Sequence, residues 1–469
     1  MGNTEKKVEK VENGSDNTGI KNLKIKAEKG ELNSEGAEDG ESGIREDDDL
    51  SPPLSYDRMP RREIVCLDMK SFYASVEAVE RGLDPFRRML AVVGSRERKG
   101  SVILAASPAL KEKYNIGTGD RHRDLPPDDE ITVVEPRMAL YIDRSVAITE
   151  LLTEFAPIDD IFTYSIDESW VDLTDVPLDG KSFRARARHI QHEIYRRFNL
   201  VASLGLGPNM FLSKVAMDIE GKKSGLAHWQ YEDVPEKLWP VPLSDCWGIG
   251  RRLENRLNQY GIRQVGDIAR LDPEFMERKL GAVGEQIYQH AWGIDFSRPS
   301  GFFDDRVKSI GRGITLFEDF CSARRLMTVI FNLCEEIAFR ARRQGLAGRT
   351  VSLSLSYSYE HSSSGFRVQR TRDYAFNLEQ KIAEVCRELL QENYSGAPVR
   401  KVSVTLGNLQ AADSIQLDLF SDSDRRQQLA LARDEIRKKF GPQALSFGIS
   451  HCEKELRCRI KGNIGGHKA

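Results

Sequence analysis

The stretch TYSIDESWVDLT, residues 163–174, sets Asp167 and Glu168 side by side within a run that otherwise reads as strand. Thr163, Tyr164, Ile166, Trp170 and Val171 are strand formers, and acidic side chains are depleted from strands. Two readings meet the pattern. One is a tight hairpin whose tip happens to be acidic. The other is half of a carboxylate cluster for a hard divalent cation, which draws oxygen ligands from more than one segment. The second reading needs another carboxylate elsewhere.

Upstream, REIVCLDMKSFYASVEAVE (62–80) supplies a candidate. Ile64, Val65, Cys66 and Leu67 form a short apolar run suited to a buried strand, with Asp68 at its C-terminal end. Phe72, Val76 and Val79 then fall at helical spacing, so Asp68 stands at a strand-to-helix junction. Downstream, SVILAAS (101–107) reads as strand and ALKEKYNIG as helix. SFRARARHIQHEIYRRFN reads as a long helix, VASLGLG (201–207) as strand and NMFLSKVAMDIE as helix. Strands and helices alternate without the strict rhythm of a doubly wound sheet, which predicts an α+β fold.

The 469 residues give room for about three domains of ~150 residues. Apolar content of 40% and charged content of 30% suit a soluble protein with a core. No run of about 18 apolar residues and no apolar leader occur, so neither membrane spanning nor export is expected. Cysteines 66, 246, 321, 334, 386, 452 and 458 are odd in number and lack CxxC spacing, which fits the cytoplasm rather than a disulfide framework. His451, Cys452, Cys458 and His467 are too irregularly spaced for a zinc site and read as tail residues. Residues 1–60 hold 15 acidic and 9 basic side chains with few aromatics, and are expected to be disordered. The whole chain is −3, so the remainder is about +3, a balance that permits nucleic acid.

Four segments, in order, resemble the Y-family translesion DNA polymerases: LDMKSFYASVE, YSIDESWVDLT, LGLGPNMFLSKVAMD and CWGIGRRLENRLNQYGI. The resemblance runs from about Arg62 to Gln410 and is greatest to the bacterial UmuC-like branch, especially UvrX-type proteins of Gram-positive bacteria, which the terminal IKGNIGGHKA also resembles. It implies a multi-domain right hand: palm (61–71 and 139–232), fingers (72–138), helical thumb with a helix-hairpin-helix (233–301) and little finger (302–412). A tail (413–469) would follow. In the little finger, VSLSLSYSY (351–359) and VRKVSVTLGNL (399–409) read as strands, each preceded by a helix, and 16 Lys/Arg against 12 Asp/Glu in 302–410 suit backbone contact with DNA.

The resemblance further implies that Asp68, Asp167 and Glu168 are catalytic carboxylates holding two Mg2+ ions, with the Met69 carbonyl as a further ligand. Two such ions, about 4 Å apart, would serve nucleotidyl transfer. Tyr73 would be the steric gate against a 2′-hydroxyl, Phe72 would pack beneath the dNTP, and Lys214 would reach its triphosphate. The fingers positions that carry Tyr and Arg in many relatives are Ala109 and Glu112 here, so Lys111 or Lys113 would substitute. Gly248 and Gly250 would let backbone N–H groups approach a DNA phosphate. Beyond the little finger, QLDLF resembles the bacterial sliding-clamp peptide, with Gln416, Leu417, Leu419 and Phe420 as anchors. The alternation of Ile415, Leu417 and Leu419 also permits a strand. The expected partners are damaged primer-template DNA, dNTP and the clamp, at the nucleoid in the cytoplasm, as part of an SOS response. The alternative is a non-catalytic replisome adaptor of the same fold. A two-metal nuclease is disfavoured by Tyr73 and the thumb segment.

Overall fold

The run IVCLDM forms β1 (Ile64–Met69), buried at every position except the partly exposed Asp68. A strand so apolar needs cover on both faces, which makes it central. The computed structural model describes residues 52–53, 55–177, 180–301, 307–358, 361, 363–414, 423–441, 444–451, 463–464 and 467–468. After β1 the chain turns through Ser71, whose φ of 49° is left-handed, into the helix Phe72–Val79. β2 (Leu90–Val93), β3 (Ile103–Ala106) and β4 (Thr132–Val134) then build a small sheet in the order β3-β2-β4, at the expected fingers position.

β5 (Ile161–Thr163), β6 (Glu168–Asp172), β7 (Ala202–Gly207) and β8 (Leu226–His228) complete the sheet around β1, in the order β5-β6-β1-β7-β8. Its two faces are read from the alternation. Val65, Leu67 and Met69 pack with Ile190 and Ile194 of the helix Phe183–Phe198 and with Leu151 and Leu152 of Met138–Leu152. Ile64 and Cys66 pack with Trp170, Met210 and Met217 on the other face. The glycines of LGLG explain how the helix starting at Met210 lies so close there. A Cβ on Gly205 would stand 2.0 Å from the Ser213 carbonyl oxygen, and one on Gly221 would stand 2.4 Å from that of Leu204.

That helix is not regular. Met217–Gly221 is wound as a π-helix, between the α-helical Met210–Ala216 and Lys222–Ser224. The wider turn keeps residues eight apart in line, whereas an α-helix would bring back the seventh. Lys214, Asp218 and Lys222 therefore share one side of it.

The thumb position holds the helices Arg251–Asn258, Val265–Ala269, Pro273–Leu280 and Ala282–Ala291 around Leu257, Ile268, Met276 and Ile287. The expectation of disorder to residue 60 is corrected at its end: Met59 is buried in this core, and Tyr56 stacks on Tyr231 (5.0 Å) and donates to the Trp292 carbonyl at 2.9 Å. Burial of these apolar side chains offsets the ordering entropy there. Residues 1–51 lie outside the described residues.

β9 (Ser309–Phe320), β10 (Leu346–Tyr357), β11 (Gly365–Phe376) and β12 (Val399–Ala411) make an antiparallel sheet, ordered β11-β10-β12-β9, with the helices Ala323–Arg343 and Glu379–Asn393 against it. Sequence reading missed β9 and β11. Both are exposed or only half-buried at most positions and carry no long apolar run, so they pair by hydrogen bonding along a sheet that others bury. The uncovered face presents Ser352, Ser354, Ser356, Ser403 and Thr405 beside Arg367 and Lys401.

The expected tail is also corrected in part, because Ser423–Phe440 is a helix docked on this domain. Arg433 reaches Glu379 at 2.8 Å, Arg342 reaches Asp434 at 2.6 Å, and Arg437 pairs with Glu335. These partners are far apart in sequence, and no local pattern announces them. The clamp-peptide residues Gln416, Leu417, Leu419 and Phe420 lie outside the described residues, as do Cys452 and Cys458.

Candidate active site

Asp68 and Glu168 face each other across the β1–β6 ladder. Directly opposed residues stand about 5 Å apart at Cβ, so two carboxylates at this register must interact. Asp167 sits in the turn before β6, fixed by its carbonyl, which accepts from Met69 N–H at 2.9 Å. The turn of the hairpin delivers Asp167 and Glu168 to the end of β1, beside Asp68.

The lysines of the irregular helix reach the same place. Lys214 Nζ lies 2.8 Å from Glu168 Oε1 and 3.2 Å from Asp218. Lys222 Nζ lies 2.8 Å from Asp218 and 3.3 Å from Asp68. Three carboxylates thus meet two ammonium groups, with a fourth, Asp167, beside them. Burial pushes the Asp68 carboxyl up to about 7, with Glu168 and Asp167 adding to the push and Lys222 opposing it. Two ammonium groups resting on the carboxylates, and negative charge left over, fit a divalent cation that prefers hard oxygen donors. Asp167 does not yet join them, since it accepts from Ser165 Oγ at 2.7 Å. Among the described residues no group of three or more His, Cys, Asp or Glu is gathered as a metal cage.

A cleft of about 740 Å³ opens over the carboxylates. Asp68, Met69, Phe72, Tyr73 and Asp167 line it, as the sequence reading requires, and so do Lys111, Lys222 and Ser203. Tyr73 stacks on Tyr141 with ring centroids 4.4 Å apart, and the Tyr141 hydroxyl donates to the buried Glu77 at 2.7 Å. Of the two fingers lysines left open by sequence, Lys111 faces the cleft, 3.0 Å from Ser71 Oγ, whereas Lys113 turns to Asp128 at 3.1 Å.

Lys214 is placed differently from its expectation. It is 4% exposed, beneath the carboxylates and not among the residues lining the cleft. Lys222, missed in the sequence, lines it. The i, i+4, i+8 order of Lys214, Asp218 and Lys222 was the signal available. Gly248 and Gly250 sit on an exposed turn with open space around both, and only Gly248 needs glycine for its φ of 93°.

Comparison with known proteins gives the family and the fold. The impB/mucB/samB family matches residues 67–218, its C-terminal domain 307–419, and the IMS family HHH motif 231–262. UvrX of Bacillus subtilis (strain 168), named for UV-damage repair, is 42% identical over 421 residues, covering 89% of this chain and 100% of the relative. DNA polymerase IV 2 of Halalkalibacterium halodurans is 34% identical over 407 residues, covering 86% and 98%. Among solved structures, the Y-family DNA polymerase chimera Dbh-Dpo4(243-245)-Dbh has a TM-score of 0.61 at 20% identity, covering 74% of this chain and 99% of that one. Among the described residues no helix is long and apolar enough to cross a membrane. The chain belongs to the impB/mucB/samB family, and its fold is that of a Y-family DNA polymerase.

Proposed function

We propose that the protein is a template-directed DNA polymerase for translesion synthesis in DNA repair, with its chemistry at the Asp68–Asp167–Glu168 end of the cleft. The observation that carries this reading is the register of β1 and β6, which joins carboxylates 100 residues apart beneath a cleft walled by Tyr73. When bound, two Mg2+ ions would activate the primer 3′-oxygen and stabilise the departing pyrophosphate. Asp68, Asp167, Glu168 and the Met69 carbonyl are the residues to hold them, Asp167 leaving Ser165 to do so.

The protein's own groups do the rest. Lys222 and Lys111, on the cleft wall, attract the triphosphate, while Lys214 holds Glu168 in place from below. Phe72 supports the nucleotide. Tyr73, held flat against Tyr141, fills the space a 2′-hydroxyl would need. Gly248 and Gly250 offer backbone N–H groups to a primer-strand phosphate. The hydroxyl face of the β9–β12 sheet, with Arg367 and Lys401, receives the duplex backbone without reading sequence. Gln416, Leu417, Leu419 and Phe420 recruit the enzyme to a sliding clamp, at the nucleoid during an SOS response.

Primer extension across a damaged template base, with Mg2+ and the full-length chain, tests the reading. Extension by the parent and none by Asp68→Ala is the expected result. A parent that binds primer-template but never extends it would leave the non-catalytic adaptor.

A further inference from the structure

The thumb turn and the acidic turn are joined by aromatic rings. Trp170, two residues beyond Glu168, is fully buried, and its indole N–H donates to the Met210 carbonyl at 3.0 Å and Ser213 Oγ at 3.1 Å. It thereby ties β6 to the helix whose next residue, Lys214, holds Glu168. Trp247 leans on Trp170 from the thumb, with centroids 5.7 Å apart. Tyr164 begins the turn that carries Asp167 and closes the triangle, edge-on to Trp170 at 5.3 Å and to Trp247 at 6.1 Å. Behind them Phe211 and His290 stack at 4.2 Å, each with its ring 6.4 Å from Trp247. Trp247 immediately precedes Gly248.

We propose that Trp247 is a positioning residue for the reaction: it braces the Tyr164–Asp167 turn against the thumb, so that the grip on DNA and the placement of the carboxylates form one rigid unit. The inference rests on the reading of Asp167 and Glu168 as the reacting-site carboxylates. Trp247 does not line the cleft, so it acts through other residues. Backbone bonds hold the turn at two points: Tyr164 and Ser165 N–H donate to the Glu168 carbonyl at 3.0 and 3.2 Å, and Met69 N–H donates to the Asp167 carbonyl at 2.9 Å. Aromatic pairs in edge-on and tilted contact stabilise beyond the area they bury, which favours one position of a short turn. Position matters here because a displacement of about 1 Å can cost ~100-fold in rate.

The test uses the full-length chain with Trp247→Ala, Trp247→Phe and Tyr164→Ala, and Asp167→Ala as the reference. Three quantities are read: single-turnover incorporation rate, primer-template affinity by fluorescence anisotropy, and Mn2+ affinity without DNA by calorimetry. Trp247→Ala should lose about tenfold or more in rate and bind Mn2+ more weakly, with DNA affinity retained. Trp247→Phe should recover most of both. Tyr164 is 46% exposed, so Tyr164→Ala should fold and show the same rate loss even where Trp247→Ala does not fold. Wild-type rates in Trp247→Ala and Tyr164→Ala beside an inactive Asp167→Ala would overturn the bracing role and leave the site reading intact. Loss of DNA affinity alone would also overturn it, assigning Trp247 to the phosphate grip. Normal extension by Asp167→Ala would instead remove the site reading on which the inference stands.

Discussion

A charge cluster in the palm and another in the little finger are built differently. In the palm, Asp68, Glu168 and Asp218 meet Lys214 and Lys222, Asp167 lies beside them, and the surplus of negative charge faces a cleft. In the little finger, Glu335, Glu379 and Asp434 meet Arg342, Arg433 and Arg437, three against three. There Glu335 is 0% and Glu379 1% exposed. Arginine's planar fork makes several directed bonds and keeps its charge, which suits a closed network. Lysine is a compact point charge that can leave one oxygen for another, which suits a site that must admit a ligand. A balanced cluster holds a helix in place, and an unbalanced one waits for a cation.

The contrast breaks most severely at the palm. Asp68→Ala, Asp167→Ala or Glu168→Ala should each remove several kcal/mol of transition-state stabilisation, roughly a thousandfold or more in single-turnover extension. Pairs of these changes should cost little beyond one, because the three act as a unit. Primer-template affinity should survive, and Asp68→Asn should not lower the metal-free melting midpoint, since it relieves crowded charge. Extension near the parental rate by any of the alanine variants would move the site.

Next in size is the reverse experiment. Arg342→Ala strands Asp434 and leaves Glu379 to Arg433 alone, and breaking a buried pair this way typically costs about 3–5 kcal/mol. Urea unfolding should show that loss, while the rate per folded molecule stays unchanged. An Arg342→Ala protein of full stability that cannot extend primers would erase the distinction between the clusters.

Smaller effects sharpen it. Tyr73→Ala should relax discrimination against ribonucleotides by roughly 10–200-fold, as removal of a steric contact does, with a loss of stability from the ring stacked on Tyr141. Unchanged sugar selectivity would pass the role to Phe72. Lys222→Ala should raise the dNTP concentration for half-maximal rate about tenfold, the scale of one charge-assisted contact. Lys214→Ala should act on the maximal rate instead, because its amine reaches Glu168 and not the cleft. Identical effects of the two changes would mean that the π-turn has no bearing on which lysine meets substrate. Smallest on the chemistry is the clamp change: replacing Gln416, Leu417, Leu419 and Phe420 by Ala should spare clamp-free synthesis and remove stimulation by a loaded clamp. Asp418→Ala should be tolerated. Equal loss of clamp-free activity would make the segment a folded strand.

Much of the palm was legible because its signals are local. An apolar run ending in Asp68, an acidic pair inside strand formers and a glycine-spaced strand before a helix are each visible within about 15 residues. The same reading failed at β9 and β11, whose residues are half-exposed and charged, and whose strand state comes from the ladder they join. A motif read linearly also does not show depth: Lys214 lies beneath the carboxylates, with its amine on Glu168.

The sequence by itself determined the elements of the palm, the family, and the residue types at the cleft, since period, turn chemistry and short motifs are properties of neighbouring residues. Only the tertiary structure decided that Asp68 and Glu168 stand opposite one another, that Lys111 rather than Lys113 faces the cleft, that Lys222 rather than Lys214 lines it, and that the chain after Ser423 docks as a helix. These outcomes depend on strand register, on an extra-wide helical turn, and on ion pairs between residues up to 102 positions apart. Register and long-range pairing minimise the free energy of the whole molecule, and no short stretch of chain contains that information.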